Sequence, residues 1–533
     1  MGLDRIPPEV LEHIAFFVAT ESILGPPVGL LSLLLANRSI YNTLSTTANP
    51  HLYSLVFRAK FDSGLIQKRY GDRALAPDVL TKELKRRIVL LKRIRASSDA
   101  VDATCSWDGE DTDNPADQLL LEAYLIMLEN QGKNERQLRH YAKLPQWLKA
   151  FWFHERGAST VVHGLKHRNW PHDAPRTAFA MWLFWFFLNT VSDEYPRDYD
   201  AITTPRHLLQ IIAMGAHHYE LSEVNWRDYH GTDAPSFTKH VTWFSQKYSM
   251  VPPVLAIPAI LSFFAFISGR SKPPLTPSDP TIPTIPLRDE WGAEWGRTFS
   301  LGNLNGRNSM QDCVQPGSFE GVWEGLFTYM EFSTYGSIIR GAPPEILQKS
   351  IINRHQQTWK LREHHLIAPD SSHVNDAENL SSSSSEVDNF GSKILPLSAG
   401  DPLRSYIPAD TVIVESREGL IIEEPGRDAP MHYTRAGQNH TAGEEAKGSV
   451  IDIIITGEGH SAWGQFNLVG RVRPCDGFIS LSKEYADGER GKWLYRGYLV
   501  GNAYGNIAGR WRDTFTSSLH AGYEGCFTMS RRR

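Results

Sequence analysis

The chain has 533 residues, room for about three or four domains, and 41% of them are hydrophobic, so it can bury sizeable cores. With 55 basic residues against 60 acidic ones, it lacks the basic surplus of a general nucleic-acid-binding protein. Its four cysteines lie far apart with no Cys-x-x-Cys pair, which is typical of a reduced cytosolic or nuclear protein. No secretory signal peptide is recognisable after Met1, so we expect a cytoplasmic and/or nuclear location.

Residues 1–62 pair a proline-led helix with a leucine-rich one. Pro7 and Pro8 suit the first turn of a helix, where a missing N–H costs nothing. The apolar residues that follow recur at helical spacing: Val10, Leu11, Ile14 and Phe17. After the break at Gly25-Pro26-Pro27, a second helix is predicted over 30–35 and a third around 40–44. Helices this short leave apolar surface exposed. A partner protein that covered it would gain about 25 cal/mol of free energy for each Å² of apolar surface buried. Alternatively, they pack on the helical region that follows.

Residues 63–269 have helical periodicity, and we predict an all-α region there. The candidate helices lie over 80–95, 119–128, 147–153, 176–189, 206–219 and 237–248. One stretch, Val251 to Ile267, is nearly long enough to span a membrane, but Pro252, Pro253 and Pro258 interrupt it. We therefore expect a buried helix and no membrane association.

Two segments of biased composition divide the rest of the chain. In the segment 270–315, six prolines are spread over residues 273–286, which predicts an extended, semi-rigid connector. A serine-rich insertion at about 368–402 lacks the apolar content needed to order itself. A further helix is predicted between Pro343 and Leu366.

The carboxy-terminal domain, 316–533, changes to a period of two. Alternating segments separated by Gly-rich breaks predict hairpins over 450–455, 466–472, 479–485, 493–499, 507–511 and 523–529. With 319–332 and 410–422 there are about eight strands, the number at which an antiparallel barrel closes. The predicted fold class is thus α+β multidomain, although an open meander or a sandwich would show the same alternation.

The first 50 residues resemble an F-box. The match begins with Ile6-Pro7-x-Glu9-Val10-Leu11-x-x-Ile14 and continues through Leu30, Leu31, Leu33, Leu35, Ala36, Arg38 and Ile40. The whole chain is similar in layout to large F-box-like proteins of fungi. It departs from the family pattern in having Ile6 for the usual Leu and a longer loop at Gly25-Pro26-Pro27, which bears on how tightly an adaptor binds.

This resemblance implies binding to the Skp adaptor of a cullin–RING (SCF-type) ubiquitin ligase, and through it to a cullin. The positions that would supply the apolar adaptor contacts are Ile6, Pro7, Leu11, Ile14, Leu31 and Leu35. The chain would then be a non-catalytic substrate receptor in the ubiquitin conjugation pathway, holding an unidentified protein target.

Near the start of the β-rich domain, Gly321-Val322-Trp323 resembles the Gly-x-Trp of lipocalins, and Gly509-Arg510-Trp511 repeats the tripeptide. The other lipocalin motifs are missing, so no ligand site is carried over. We expect both tryptophans to brace a lipocalin-like barrel. The alternative function is that of a small apolar ligand-binding protein that uses the barrel.

Motifs for catalysis are few. Gly459-His460-Ser461-Ala462-Trp463 begins like a nucleophile elbow, but its last Gly is replaced, and a β-hairpin is the expected structure. His163 and His167 lie one helical turn apart, as metal ligands often do, yet no Glu follows the first His. We therefore predict no enzyme activity, no cofactor and no metal.

Overall fold

The computed structural model describes residues 6–101, 115–188, 204–222, 229, 237–268, 289–303, 313–368, 403–417, 419–436, 449–502 and 505–532. The chain divides into two compact units. The helical unit comprises residues 1–219, 237–302 and 342–349, and the barrel unit comprises 220–236, 303–341 and 350–533. Most of the predicted connector and nearly all of the serine-rich insertion lie outside the described residues.

The described helices are Pro8–Thr20 (α1), Val28–Ala36 (α2), Arg38–Leu44 (α3), Pro50–Lys60 (α4), Ile66–Tyr70 (α5), Pro77–Ala96 (α6), Pro115–Leu128 (α7), Lys133–Arg136 (α8), Leu144–Phe153 (α9), Val161–Lys166 (α10), Pro175–Phe187 (α11), Pro205–Met214 (α12), Ala256–Ser268 (α13), Gly292–Ser300 (α14), Phe332–Ile339 (α15) and Ile346–Lys349 (α16). Proline occupies the first turn of α1, α4, α6, α9, α11 and α12, where its fixed φ favours helix entry. Helix α14 lies inside the predicted connector and belongs to the helical unit.

Two apolar helices supply much of the core of the helical unit. In α11 every residue from Thr177 to Phe187 is buried, and in α13 every residue from Ala256 to Ala265 is buried. The stretch Val251–Ile267, suspected as a membrane span, therefore contains a core helix that starts just before Pro258. Within the described ranges, no helix combines the length and apolarity needed to cross a membrane.

The helix predicted over 237–248 is wrong, and with it the all-α character of this region. Strands Lys239–Trp243 (β1) and Gln246–Met250 (β2) form an antiparallel hairpin there. The two turn residues, Phe244 and Ser245, have φ values of 46° and 60°, as a two-residue hairpin turn requires. Tertiary contacts hold this turn: the N–H of Phe244 donates to Glu83 Oε1 at 3.1 Å, and Trp243 Nε1 donates to Glu129 Oε1 at 2.6 Å.

The barrel unit contains strands Gly321–Met330 (β3), Ile352–Ile367 (β4), Val412–Glu415 (β5), Gly419–Glu423 (β6), Met431–Arg435 (β7), Val450–Ser461 (β8), Gly464–Val472 (β9), Ile479–Tyr485 (β10), Lys492–Val500 (β11), Asn506–Asp513 (β12) and Glu524–Arg531 (β13). Eight of them close an antiparallel barrel in the order β3-β13-β12-β11-β10-β9-β8-β4, with β4 pairing back to β3. The predicted eight-stranded antiparallel barrel is confirmed.

Its eighth strand is not the predicted one. Residues 410–422 form β5 and most of β6, which extend through β7 from the end of β4 and stay outside the closed ring. The ring is completed instead by β4, where a helix was predicted between Pro343 and Leu366. That prediction is wrong beyond the short helix α16.

Large apolar side chains fill the barrel interior. They include Trp323, Phe327, Trp359, Leu361, Ile455, Phe466, Leu468, Leu481, Tyr495, Ile507, Trp511, Phe527 and Met529. Inward-facing glycines make room for them: a Cβ on Gly459 would lie 2.4 Å from the ring of Phe466, and one on Gly525 would lie 2.6 Å from the ring of Trp511. Small and large residues thus alternate across the barrel, as a packed barrel of this size requires.

Candidate functional site

The first two helices keep apolar stripes exposed to solvent. On α1, Val10 is 48% exposed and Phe17 is 66% exposed, with the half-buried Ile14 between them. On α2, Val28, Leu31 and Leu35 are 65%, 56% and 77% exposed. Both sets recur at helical spacing, so each forms a continuous stripe. We call these six residues the docking surface.

The other faces of the same helices are buried in the helical unit. Leu11, Ala15 and Ala19 are buried on α1, and Leu30 is the buried residue of α2. Helix α2 is apolar over almost its whole circumference, and a helix of that kind is normally covered on every side. The exposure of Leu31 and Leu35 is therefore unusual for a helix of this composition.

Polar contacts fix α1 against α4. Glu12 accepts a hydrogen bond from Asn49 Nδ2 at 3.0 Å. It also accepts one from His51 Nδ1 at 2.7 Å when that ring nitrogen carries a proton. Burial favours the neutral acid, but these hydrogen bonds and the positive charge of His51 outweigh it, and the pKa of Glu12 is lowered. The docking surface is thus held on a fixed scaffold.

A groove of about 630 Å³ lies beside the docking surface, between the α1–α2 loop and the helical body. Its wall on the body side contains Arg95, His140 and Tyr141, and Val28 belongs to both the groove and the docking surface. The guanidinium of Arg95 lies 4.8 Å from the centre of the Tyr141 ring. A partner covering α2 would reach a basic and aromatic edge here.

The six predicted adaptor contacts fall into different environments. Leu31, Leu35 and Pro7 are exposed, whereas Ile6 and Ile14 are half-buried. Leu11 is only 4% exposed, so its side chain belongs to the core of the helical unit rather than to the surface.

Three members of the docking surface were absent from that prediction: Val10, Phe17 and Val28. Val10 and Phe17 fit the same helical period as Leu11 and Ile14. Periodicity identifies an apolar stripe but does not say which of two adjacent positions faces inward.

The barrel carries a second candidate site at the end where β3, β8, β10 and β12 finish. Tyr329, His355 and Trp463 form an aromatic group there, with Trp463 ring-centre distances of 5.7 Å to Tyr329 and 5.3 Å to His355. All three side chains are partly exposed. Towards the opposite end, Glu363 accepts the backbone N–H groups of Gly317 and Phe319 at 2.6 and 2.7 Å, which fixes the segment that precedes β3.

Below this aromatic group, Lys483 projects into the barrel and is only 1% exposed. Its Nζ lies 3.4 Å from Gln357 Oε1 and 3.9 Å from the centre of the Phe466 ring. Burial lowers the pKa of the Lys483 amine to about 7. Sequence reasoning placed Lys483 on a strand but did not single it out, because its inward position depends on the closure of the barrel.

The two tryptophans of the Gly-x-Trp tripeptides lie inside the barrel, as predicted. Trp323 Nε1 donates to the carbonyl of Phe319 at 2.9 Å, and Trp511 Nε1 donates to the carbonyl of Thr328 at 3.0 Å. Trp323 also lies directly opposite Trp359 in the β3–β4 pair. Both indoles brace the barrel wall.

The remaining motifs form no catalytic arrangement among the described residues. Ser461 ends β8 in the predicted hairpin, and its Oγ lies 3.5 Å from the hydroxyl of Tyr485. His163 and His167 have ring centres 4.2 Å apart, but the described residues contain no group of three or more potential metal ligands.

No family model, no curated protein and no solved structure matches this chain. The F-box and lipocalin resemblances therefore depend on the residues quoted for them. The functional conclusion depends on the docking surface and the barrel interior themselves.

Proposed function

We propose that this protein is a non-catalytic substrate receptor of a cullin–RING ubiquitin ligase. Its first helices would bind a Skp-type adaptor, which connects the chain to a cullin, and the rest of the chain would hold a protein target in the cytoplasm and/or nucleus. The observation that carries this proposal is the exposed apolar stripe on α2, with Leu31 and Leu35 at 56% and 77% exposure. Such a surface is costly in water unless another protein covers it.

The receptor would act by positioning. A target held on this chain has its lysines near a ubiquitin-loaded enzyme bound elsewhere in the complex, and the effective concentration of the reacting groups rises. No residue of the chain would take part in the chemistry.

The test compares adaptor binding by a docking-surface variant and by a control variant. Leu31→Asp with Leu35→Asp places charges on the docking surface without touching a buried residue. Leu519→Asp is the control, because Leu519 is equally exposed at 77% but lies in the barrel unit. Covering one leucine contributes about 1.5 to 3 kcal/mol, so the double variant should weaken adaptor binding by about 100-fold or more.

Calorimetric titration with purified adaptor measures that change, and circular dichroism checks that both variants stay folded. Recovery of a cullin with the chain should require the adaptor. If the docking-surface variant and the Leu519 control bind the adaptor equally well, the proposal is wrong.

A second candidate function is the binding of a small apolar ligand in the barrel. Large side chains pack the barrel interior, so we place the candidate ligand site at the aromatic end, near Lys483. The specific observation in its favour is a buried polar group beneath partly exposed aromatic side chains, the pattern common to small-molecule sites. Calorimetric titration with apolar ligands tests it, and the absence of any saturable heat would contradict it.

A further inference from the structure

Two hydrogen-bond donors converge on one weak acceptor inside the barrel. Lys483 Nζ and the Tyr495 hydroxyl both lie 3.4 Å from Gln357 Oε1. Both distances are long for hydrogen bonds to an oxygen, which usually measure about 2.7 to 3.2 Å. One neutral amide oxygen therefore serves an amine and a phenol, and neither donor is well satisfied.

The Lys483 amine also has no carboxylate partner. Among the described residues no salt bridge reaches it, and its other neighbours are the rings of Phe466, Tyr485, Phe327 and Tyr495, at 3.9 to 5.4 Å. A buried ammonium without a counter-charge is expensive, and rings compensate it only in part. One negative charge placed beside the Lys483 amine would balance the ammonium.

A series of aromatic contacts leads from the amine to a partly exposed residue. The Phe327 ring, 5.4 Å from Nζ, packs edge-on against Trp463 with ring centres 5.1 Å apart. Trp463 lies in the two-residue turn between β8 and β9 and is partly exposed. The Phe327 ring thus lies between the buried amine and the partly exposed Trp463.

We propose that the barrel binds an apolar monocarboxylate, whose carboxylate pairs with Lys483 and Tyr495 and whose apolar body replaces the Trp463 side chain at the barrel end. This inference depends on the second candidate function. The carboxylate supplies the missing negative charge and an acceptor for both donors, and charge-assisted hydrogen bonds of this kind are about twice as strong as neutral ones.

Two probes distinguish the kind of apolar body. Decanoate represents a flexible chain and 2-naphthoate represents a flat aromatic acid, while decanol is the matched ligand without a charge. Each is titrated by calorimetry into the full chain and into three variants. Lys483→Met keeps the side-chain length without the amine, Trp463→Ala opens the barrel end, and Lys492→Met removes a lysine from the neighbouring strand that is 44% exposed.

At least one of the two acids should bind the wild type, and decanol should bind at least about tenfold more weakly. Lys483→Met should weaken the binding of that acid by about 10- to 100-fold, because a hydrogen bond to a charged group is lost, and should leave decanol unaffected. Trp463→Ala should strengthen or preserve acid binding, and Lys492→Met should not change it.

The outcomes separate this inference from the function it depends on. If the acids bind Lys483→Met as well as they bind the wild type, the barrel binds apolar ligands but the role of Lys483 is wrong. If no ligand binds the wild type, the second candidate function fails as well. Neither result bears on adaptor binding.

Discussion

The side-chain oxygen of Gln137 accepts a hydrogen bond from the backbone N–H of Gly25 at 2.8 Å. The amide nitrogen of Gln137 donates to the carbonyl of Ile23 at 2.8 Å and to that of Lys60 at 3.1 Å. One buried amide thus joins the α1–α2 loop to the end of α4. The angle at which α2 presents Leu31 and Leu35 depends on this connection.

Replacing Gln137 with Ala should lower the free energy of unfolding by about 2 to 4 kcal/mol, because buried backbone groups lose their partners. It should also weaken adaptor binding although no docking-surface residue changes. Urea denaturation measures the first effect and adaptor titration the second. Gln67→Ala is the control, since Gln67 is exposed, and should cost less than about 0.5 kcal/mol. Equal stability of the two variants would contradict this role of Gln137.

Lys483 should make stability depend on pH. Its pKa is about 7 in the folded state, below the ordinary value near 10.5, because burial disfavours the ammonium form. Between these values the unfolded chain binds more protons, so stability should rise with pH from about 7 to about 10. Below pH 7 the full free-energy cost of burying the ammonium is present, and this pKa shift corresponds to a cost of about 5 kcal/mol.

The comparison of wild type with Lys483→Met isolates this effect from other titrating groups, including the neighbouring phenols of Tyr485 and Tyr495. The variant should be more stable than the wild type at pH 7. Its advantage should shrink by about 1.4 kcal/mol for each pH unit up to about pH 10. Denaturant midpoints at pH 7, 8 and 9 check this, and a constant difference would show that the amine is solvated.

Glycines in the barrel wall should be required because a Cβ at their positions would collide with neighbouring atoms, and not only because glycine is flexible. Gly459→Ala would place a Cβ 2.4 Å from the Phe466 ring and 2.5 Å from the carbonyl oxygen of Thr358, so a loss of about 1 to 3 kcal/mol is expected. Gly336→Ala in α15 is the control, since its nearest neighbour is the flexible Arg340 side chain at 3.5 Å. That change should stabilise by about 0.5 to 1 kcal/mol. Thermal unfolding of both variants compares them directly, and similar shifts would contradict the steric explanation.

The two residues of a buried ion pair on the outer face of β8 and β9 should have strongly coupled effects on stability. Arg471 Nε donates to Asp452 at 2.9 Å, Arg471 Nη1 donates to Glu424 at 3.1 Å, and the hydroxyls of Tyr229 and Tyr433 also donate to Asp452. Burial raises the pKa of Asp452, but Arg471 and the hydrogen bonds lower it by more, so the carboxylate stays charged.

Asp452→Asn should cost about 3 to 5 kcal/mol, because it leaves Arg471 only partly compensated. Combining it with Arg471→Met should cost less than the sum of the single changes. Since the folded pKa of Asp452 is lowered, its contribution should be complete above the unfolded value and be lost as pH falls through the folded one. A double-mutant cycle by urea denaturation, repeated at low pH, measures both effects, and additive losses would argue against coupling.

The sequence predicts elements well where the local pattern and the tertiary environment agree. Helices α6, α7, α9 and α11 fall where apolar residues recur at helical spacing, and strands β8 to β13 fall where alternation is clear. Strand β4 was missed because its inward positions include His355, Gln357 and Glu363, so polar residues face both sides and no alternation is visible. Its many helix-forming residues favoured the wrong prediction.

By itself, the sequence determined the change from helical to alternating period along the chain, the proline-led helix starts and the apolar stripes near the amino terminus. Those properties belong to neighbouring residues, whose spacing and propensity act over a few positions. Only the tertiary structure decided that Leu11 is buried while Val10 is exposed, that β4 closes the barrel, and that Lys483 lies inside it. These outcomes depend on pairings between distant segments, because the side that an element buries is set by what packs against it.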